Sequence, residues 1–197
     1  MELVFATGNK GKLKEVKNIF ESSGYKILSL EEYNDFPDVI EDRETFEENA
    51  IKKAKEIYNF TGKPTIADDS GLIVEQLNGA PGVYSARYAG ENCTYDDNNN
   101  KLLDELKDFS SPHNASFVCY AAYYDGEIII VVKGELKGVI TNKKSGVKGF
   151  GYDPVFIPEG YDETLANFTI EKKNSISHRG NAFKKLLALL NKLEIQR

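Results

Sequence analysis

Two short segments collect residue types that handle phosphate and metal. Thr7-Gly8-Asn9-Lys10-Gly11-Lys12 sits where an apolar run gives way to a helical pattern. Its glycines let backbone N–H groups approach a ligand, a helix N-terminus adds partial positive charge, and the lysines add full charges. Together these make an anion site. It is not a Walker A loop, because only Asn9 and Lys10 separate the glycines and Leu13 follows Lys12. The plain alternative is a strand-to-helix turn with solvated lysines. Asp68-Asp69-Ser70-Gly71 places adjacent carboxylates at the end of a second apolar run. Their repulsion calls for a cation or hydrogen-bond donors, and hard oxygens suit magnesium. Neighbouring side chains diverge on a strand, so one of the two faces any given metal. The alternative is a turn, which Asp, Ser and Gly favour. A trypsin-like nucleophile is excluded, since neither His113 nor His178 has suitable surroundings.

Three further segments carry chemistry. Glu41-Asp42-Arg43-Glu44 precedes a helix, where acids are stabilising in any case. One of its carboxylates reaching the metal would complete a site, and the residues alone leave open which. Gly146-Val147-Lys148-Gly149-Phe150-Gly151-Tyr152-Asp153-Pro154 shapes backbone around two aromatic rings, either to hold a flat ligand or merely to pack. Lys173 and Ser177-His178-Arg179 lie at the mouth of the last helix. Ser177 is a natural N-cap, while His178 and Arg179 oppose the helix dipole and point to an anionic or carbonyl-bearing ligand.

The elements that must position these residues follow from periodicity. Leu3 to Ala6 reads as a buried strand, and Leu13, Val16, Ile19 and Phe20 as a helix closed by Ser23-Gly24. Tyr25 to Leu30 is a second strand. Thr45 and Glu48 form a capping box for a helix bearing Ala50, Ala54 and Ile57. Thr65 to Ala67 is a strand ending at the acidic pair, with extended structure resuming at Leu72 to Val74. Thr94 to Leu106 is a helix. Ala115 to Tyr124 and Glu127 to Lys133 pair through a type I′ turn at Asp125-Gly126. Leu136 to Ile140 and Val155 to Ile157 add strands, and Ser177 opens a long C-terminal helix. The pattern is α/β or α+β with a mixed sheet and flanking helices, in one domain over residues 1–197.

Composition narrows the partners. Lys and Arg number 25 against 31 Asp and Glu, a net charge of −6, which disfavours nucleic acid but not a small anion bound by a local lysine cluster. Cys93 and Cys119 cannot form a multi-bridge framework or a four-cysteine zinc site. The longest apolar run, Ile128 to Val132, is far too short to span a membrane. Without a targeting pattern, the expected compartment is the cytoplasm.

The motifs, taken in order from Phe5 to Arg179, resemble those of the inosine triphosphate pyrophosphatase family, the house-cleaning dITP/XTP pyrophosphatases. They are Thr-Gly-Asn-x-Gly-Lys, the Thr-Phe-x-Glu-Asn-Ala of Thr45 to Ala50, and Ala-Asp-Asp-Ser-Gly. Gly-Ala-Pro-Gly-Val-Tyr-Ser-Ala-Arg-Tyr at Gly79 to Tyr88, Phe-Gly-Tyr-Asp-Pro and Ser-His-Arg complete the set. Lys148 departs from the small residue that related sequences carry before Gly-Phe-Gly.

The resemblance implies an elongated, two-lobed α/β fold with the site in its cleft, and a homodimer. It implies Mg²⁺-dependent hydrolysis, with Mn²⁺ a possible substitute, of ITP, dITP or XTP to the nucleoside monophosphate and pyrophosphate. Carried over by position, Asp69 is the proton acceptor and a metal ligand, and Glu41 a second ligand. Thr7, Gly8, Asn9, Lys10, Gly11, Lys12 and Lys53 face the triphosphate. Ser70, Phe150, Gly151, Tyr152, Asp153, Lys173, His178 and Arg179 complete substrate binding. Rival readings are a pyrophosphatase for other nucleotides, a non-catalytic nucleotide-binding module, and a phosphotransferase, which the missing Walker spacing disfavours.

Overall fold

A computed structural model describes residues 1–196. Strands β1 (Glu2–Phe5), β2 (Lys26–Ser29), β3 (Thr65–Val74), β4 (His113–Tyr124), β5 (Ile129–Ile140) and β6 (Phe156–Pro158) form one sheet in the order β2-β1-β3-β4-β5-β6. β1 runs parallel to β2 and β3, while β5 and β6 are antiparallel, so the sheet is mixed. The helices are α1 (Lys10–Phe20), α2 (Phe46–Thr61), α3 (Tyr95–Leu106), α4 (Ile170–Ile176) and α5 (His178–Gln196). No described helix is long and apolar enough to cross a membrane.

The chain divides into two units. Among the described residues, the first comprises 1–69, 119–134 and 178–196, the second 70–118 and 135–177. In the first, strand alternation fills both faces of the sheet. Leu3, Phe5 and Ile66 pack with Val16 and Phe20 of α1 and Phe183, Leu186 and Leu190 of α5. Val4, Ala6 and Ala67 pack with Ala50, Ala54 and Ile57 of α2. Cover on both faces explains why β1 reads as an unbroken apolar run. The second unit has its own core, in which Leu102 and Leu106 of α3 meet Leu72, Phe117, Ile140, Phe156 and Leu165.

Several elements differ from the sequence reading. β3 does not end at Asp68-Asp69 but continues to Val74. Turn propensity yields because both carboxylates find buried partners, described below. β5 is one strand of twelve residues rather than two, running through Gly134. The β4–β5 connection is no two-residue I′ turn. Asp125 Oδ1 accepts from the amides of Glu127 and Ile128, at 3.1 and 2.8 Å, which builds a longer loop around Gly126. The Thr45 cap is half of a capping box, its hydroxyl accepting from Glu48 N and donating to the Glu48 carboxylate. Helix α4 has too few residues for a periodic signal and was not expected. It is capped by Thr169 and ends at Ser177, directly before α5.

Gly134 shows how the sheet sets the start of α5. A Cβ there would fall on the His178 carbonyl oxygen and 2.5 Å from the Ala182 amide nitrogen. Both are backbone atoms, so neither can rotate aside. Gly134→Ala is expected to destabilise the protein by about 1–3 kcal/mol and displace His178. Urea unfolding of the variant tests this, and a wild-type midpoint would contradict it.

Candidate active site

Alternation along β3 decides what each acidic residue meets. Asp68 follows the Ile66 face, toward α1 and α5, and Asp69 follows the Ala67 face, toward α2. Asp68 Oδ2 accepts from Arg179 Nε at 3.2 Å and lies 3.2 Å from Lys12 Nζ. Arg179 Nη1 donates to Glu15 Oε2 at 2.6 Å, giving an alternating chain of four charges from Glu15 to Lys12. Glu15, Asp68 and Arg179 are all buried. Burial opposes the charge on Asp68, but Lys12, Arg179 and Lys53 outweigh it and hold its carboxyl well below the usual carboxylate range.

Asp69 is treated oppositely. It is 4% exposed, and its Oδ2 accepts from Asn49 Nδ2 at 3.1 Å. Burial raises its pKa, Lys53 offsets part of this, and the like charges of Glu41 and Asp68 raise it again. The net direction is upward. Two adjacent carboxylates thus separate into a fixed anion and a more basic one, the arrangement that general-base chemistry uses.

Glu41 is brought to Asp69 by a fastened loop. Lys52 of α2 donates to the Ile40 carbonyl at 2.7 Å and to Asp42 Oδ1 at 2.8 Å, pinning both neighbours of Glu41. Asn49 Oδ1 accepts from Arg43 N at 3.0 Å. Glu41 accepts a short hydrogen bond from Lys53, whose Nζ lies 4.0 Å from Asp69 Oδ1. Burial works against the Lys53 charge, yet Glu41, Asp69 and Asp68 raise its pKa overall. The carboxylates bracketing this ammonium offer hard oxygens that fit magnesium. Among the described residues no three His, Cys, Asp or Glu groups form a ready metal cage. Two carboxylates are nevertheless what magnesium takes when phosphates and waters complete its shell.

The Thr7 to Lys12 segment is more ordered than a bare phosphate loop. Asn9 caps α1, its Oδ1 accepting from Gly11 N at 2.9 Å and Lys12 N at 3.1 Å, so those amides are already committed. Thr7 Oγ1 accepts from Asn9 N. The lysines diverge: Lys10 is 83% exposed beside Glu31, whereas Lys12 is 17% exposed and turned to Asp68. A Cβ at Gly8 would meet nothing within 4 Å.

A second cluster lies wholly within residues 95–173. Asp153 Oδ2 accepts from Lys173 Nζ at 2.6 Å and from Phe150 N at 2.9 Å. Lys173 Nζ stands 4.5 Å from the Phe150 ring centroid, a cation–π contact, and Tyr95 packs against the same ring at 6.1 Å. Asn99 Nδ2 donates to the Gly151 carbonyl at 3.0 Å. Gly149 is at φ +78°, and a Cβ there would strike the Asp153 carboxylate, so this glycine is required for the clamp. Tyr152 is not a stacking surface. It is buried in the core, and its hydroxyl donates to the Ser85 carbonyl at 2.9 Å. Lys148 is exposed, with its Nζ 3.4 Å from the Asn167 carbonyl. Ser70 is half-buried and His178 buried. Cys119 donates weakly to Asp68, and burial first of all pushes its thiol pKa upward, which suits an unreactive structural residue.

Sequence reasoning missed Glu15, Asn49 and Asn99. A signal existed for Asn49: with Lys53 it makes an i, i+4 polar pair on the otherwise apolar stripe of Phe46, Ala50, Ala54 and Ile57. Glu15 beside buried Val16 gave none.

The profile of the Ham1 family matches residues 3–189. A dITP/XTP pyrophosphatase of Geobacter sulfurreducens is 50% identical over 192 residues, covering 95% of this chain and 94% of that protein. One from Bacillus subtilis is 46% identical, covering 96% of each. Among solved structures, a HAM1 protein from Coxiella burnetii superposes with a TM-score of 0.89 at 38% identity, covering 98% of this chain and 99% of that one. The Ham1 protein of Staphylococcus aureus gives 0.87 at 42%, with the same coverage.

Proposed function

The chain belongs to the Ham1 family and is a nucleoside-triphosphate pyrophosphatase; on that premise we propose its substrates and the roles of its residues. The substrates are the non-standard purine nucleotides dITP, ITP and XTP, and the products are the monophosphate and pyrophosphate. The cation is Mg²⁺, with Mn²⁺ able to replace it, and the active species is a cytoplasmic homodimer. The observation that carries the reading is the convergence of Glu41 and Asp69 on Lys53, beside a neighbouring carboxylate that stays charged.

Glu41 and Asp69 would hold the metal, which when bound neutralises phosphate charge and makes water a stronger acid. An ordinary aspartate is a weak base toward bulk water, so the upward displacement of Asp69 favours its role as proton acceptor. Asn49 fixes one carboxylate oxygen and so aims the other. Asp68 remains an anion and orients Lys12, whose ammonium can then turn to a phosphate oxygen. Lys10 and the segment from Thr7 to Gly11 add positive potential.

Base selection belongs to donors and a flat ring. Hypoxanthine and xanthine present a carbonyl where adenine presents an amino group, so N–H groups of His178 and Arg179 donate to the first and oppose the second. Glu15 and Asp68 fix the guanidinium plane, a requirement for such discrimination. Phe150, held by Asp153 and flanked by Lys173, supplies a stacking face, with Ser70 and Gly151 as further substrate contacts.

The deciding experiment measures pyrophosphate release from ITP, XTP, ATP, GTP and TTP side by side, with magnesium and with EDTA. Fast release from ITP and XTP alone, abolished by EDTA, is expected. Equal rates on all five would end the base-selection argument. Nucleotide binding with no turnover on any would make the protein a binding module.

A further inference from the structure

Lys53 stands between the two carboxylates assigned to the metal. Its ammonium donates to Glu41, lies 4.0 Å from Asp69 Oδ1, and is buried along with Asp69. The groups around it are held by contacts of their own. Ala50, Ala54 and Ile57 lock α2 into the core, Asn49 holds Asp69, and Lys52 pins the residues on either side of Glu41. Glu41, half-buried, and Asp69, buried, are like charges that need a counter-charge, and in the nucleotide-free protein Lys53 supplies it.

We propose that Lys53 is a resident counter-ion that competes with free divalent cation, so that the metal enters as its complex with the triphosphate. This deepens the function proposed above and rests on it. A bare dication binding to Glu41 would take the acceptor from Lys53 and leave a buried ammonium beside a double positive charge. A metal–triphosphate complex brings phosphate oxygens that give the displaced ammonium new acceptors. The donor set agrees, because among the described residues no three His, Cys, Asp or Glu groups form a cage, and two carboxylates leave the cation dependent on substrate oxygens. Lys53 thereby links metal entry to substrate entry, holding the site against loading by metal alone.

The test titrates the nucleotide-free protein with Mn²⁺ alone, reading bound ion by electron paramagnetic resonance. Wild type is expected to bind weakly, and Lys53→Met at least about tenfold more tightly, because a like charge has gone. Lys55→Met removes the same charge two residues along α2, from an exposed position that holds none of the site residues, and is expected to change the affinity by less than about twofold. Lys53→Gln gives the same reading should the methionine variant not fold, with thermal melting as the check. Unchanged or weaker Mn²⁺ binding in a folded Lys53 variant overturns the proposal, as does an equal gain in Lys55→Met. Neither result bears on pyrophosphate release by wild type, so failure here is distinct from failure of the assigned reaction.

Discussion

Asp69→Asn is expected to lower kcat for pyrophosphate release from ITP by about 10³-fold while the protein stays folded. The asparagine is nearly isosteric and can still accept from Asn49 Nδ2 through its own carbonyl oxygen. Stability should hold or rise, because the substitution removes one of the like charges that crowd this buried position. Raised magnesium separates the two roles of Asp69. If the side chain only held metal, excess Mg²⁺ would restore most of the rate; if it takes the proton, saturation leaves the defect in place. Turnover within tenfold of wild type would remove Asp69 from the chemistry. A marked fall in the melting midpoint would show the carboxylate to be structural.

That two adjacent aspartates can have opposite roles was legible in part. Their divergence follows from the two-residue period of a strand, and a strand was expected up to Ala67. The continuation through Asp68-Asp69-Ser70-Gly71 was not, since local propensity favours a turn there. What overrides it is non-local: Arg179 lies 111 positions from Asp68, and Glu15 lies 164 from Arg179. No periodicity within one segment reports such a pairing. The same holds for β5, where Gly134 looked like a break because nothing nearby reveals that α5 begins above it.

The glycine-rich segment was legible as a shaped loop, but not which of its two aromatics faces a ligand. Phe150 and Tyr152 are two residues apart and chemically alike, so sequence offered both as stacking rings. Backbone geometry separates them. Phe150 N is held by Asp153 with Lys173 beside the ring, while Tyr152 enters the core and spends its hydroxyl on Ser85. At the first motif, the amides that would make an anion site are already occupied by Asn9, and the positive charge that remains there is chiefly that of Lys12. Capping chemistry predicts this, for Asn before a helix accepts from its first amides whether or not a ligand is near.

Arg179→Ala is expected to lose about 3–5 kcal/mol of stability, more than its assignment as a substrate contact would suggest. The guanidinium is 3% exposed and bridges Glu15 and Asp68, so its removal leaves two buried carboxylates without their shared cation. The loss should reach catalysis as well, since Asp68 would draw more fully on Lys12 and hold it back from phosphate. Urea unfolding measures the first effect and kcat/KM for ITP the second. Glu15→Gln combined with Arg179→Met should cost less than the sum of the two single changes, because each alone strands a charge that the pair removes together. The pH dependence has a defined sign. Asp68 in wild type is held far below the usual carboxylate range, so its contribution persists until pH falls through that low value. Without Arg179 the carboxyl protonates at higher pH and is relieved sooner, so the gap between variant and wild type should narrow as the solution is acidified. If Arg179→Ala unfolds at the wild-type urea concentration, the buried chain of charges is not what holds α5 to the sheet.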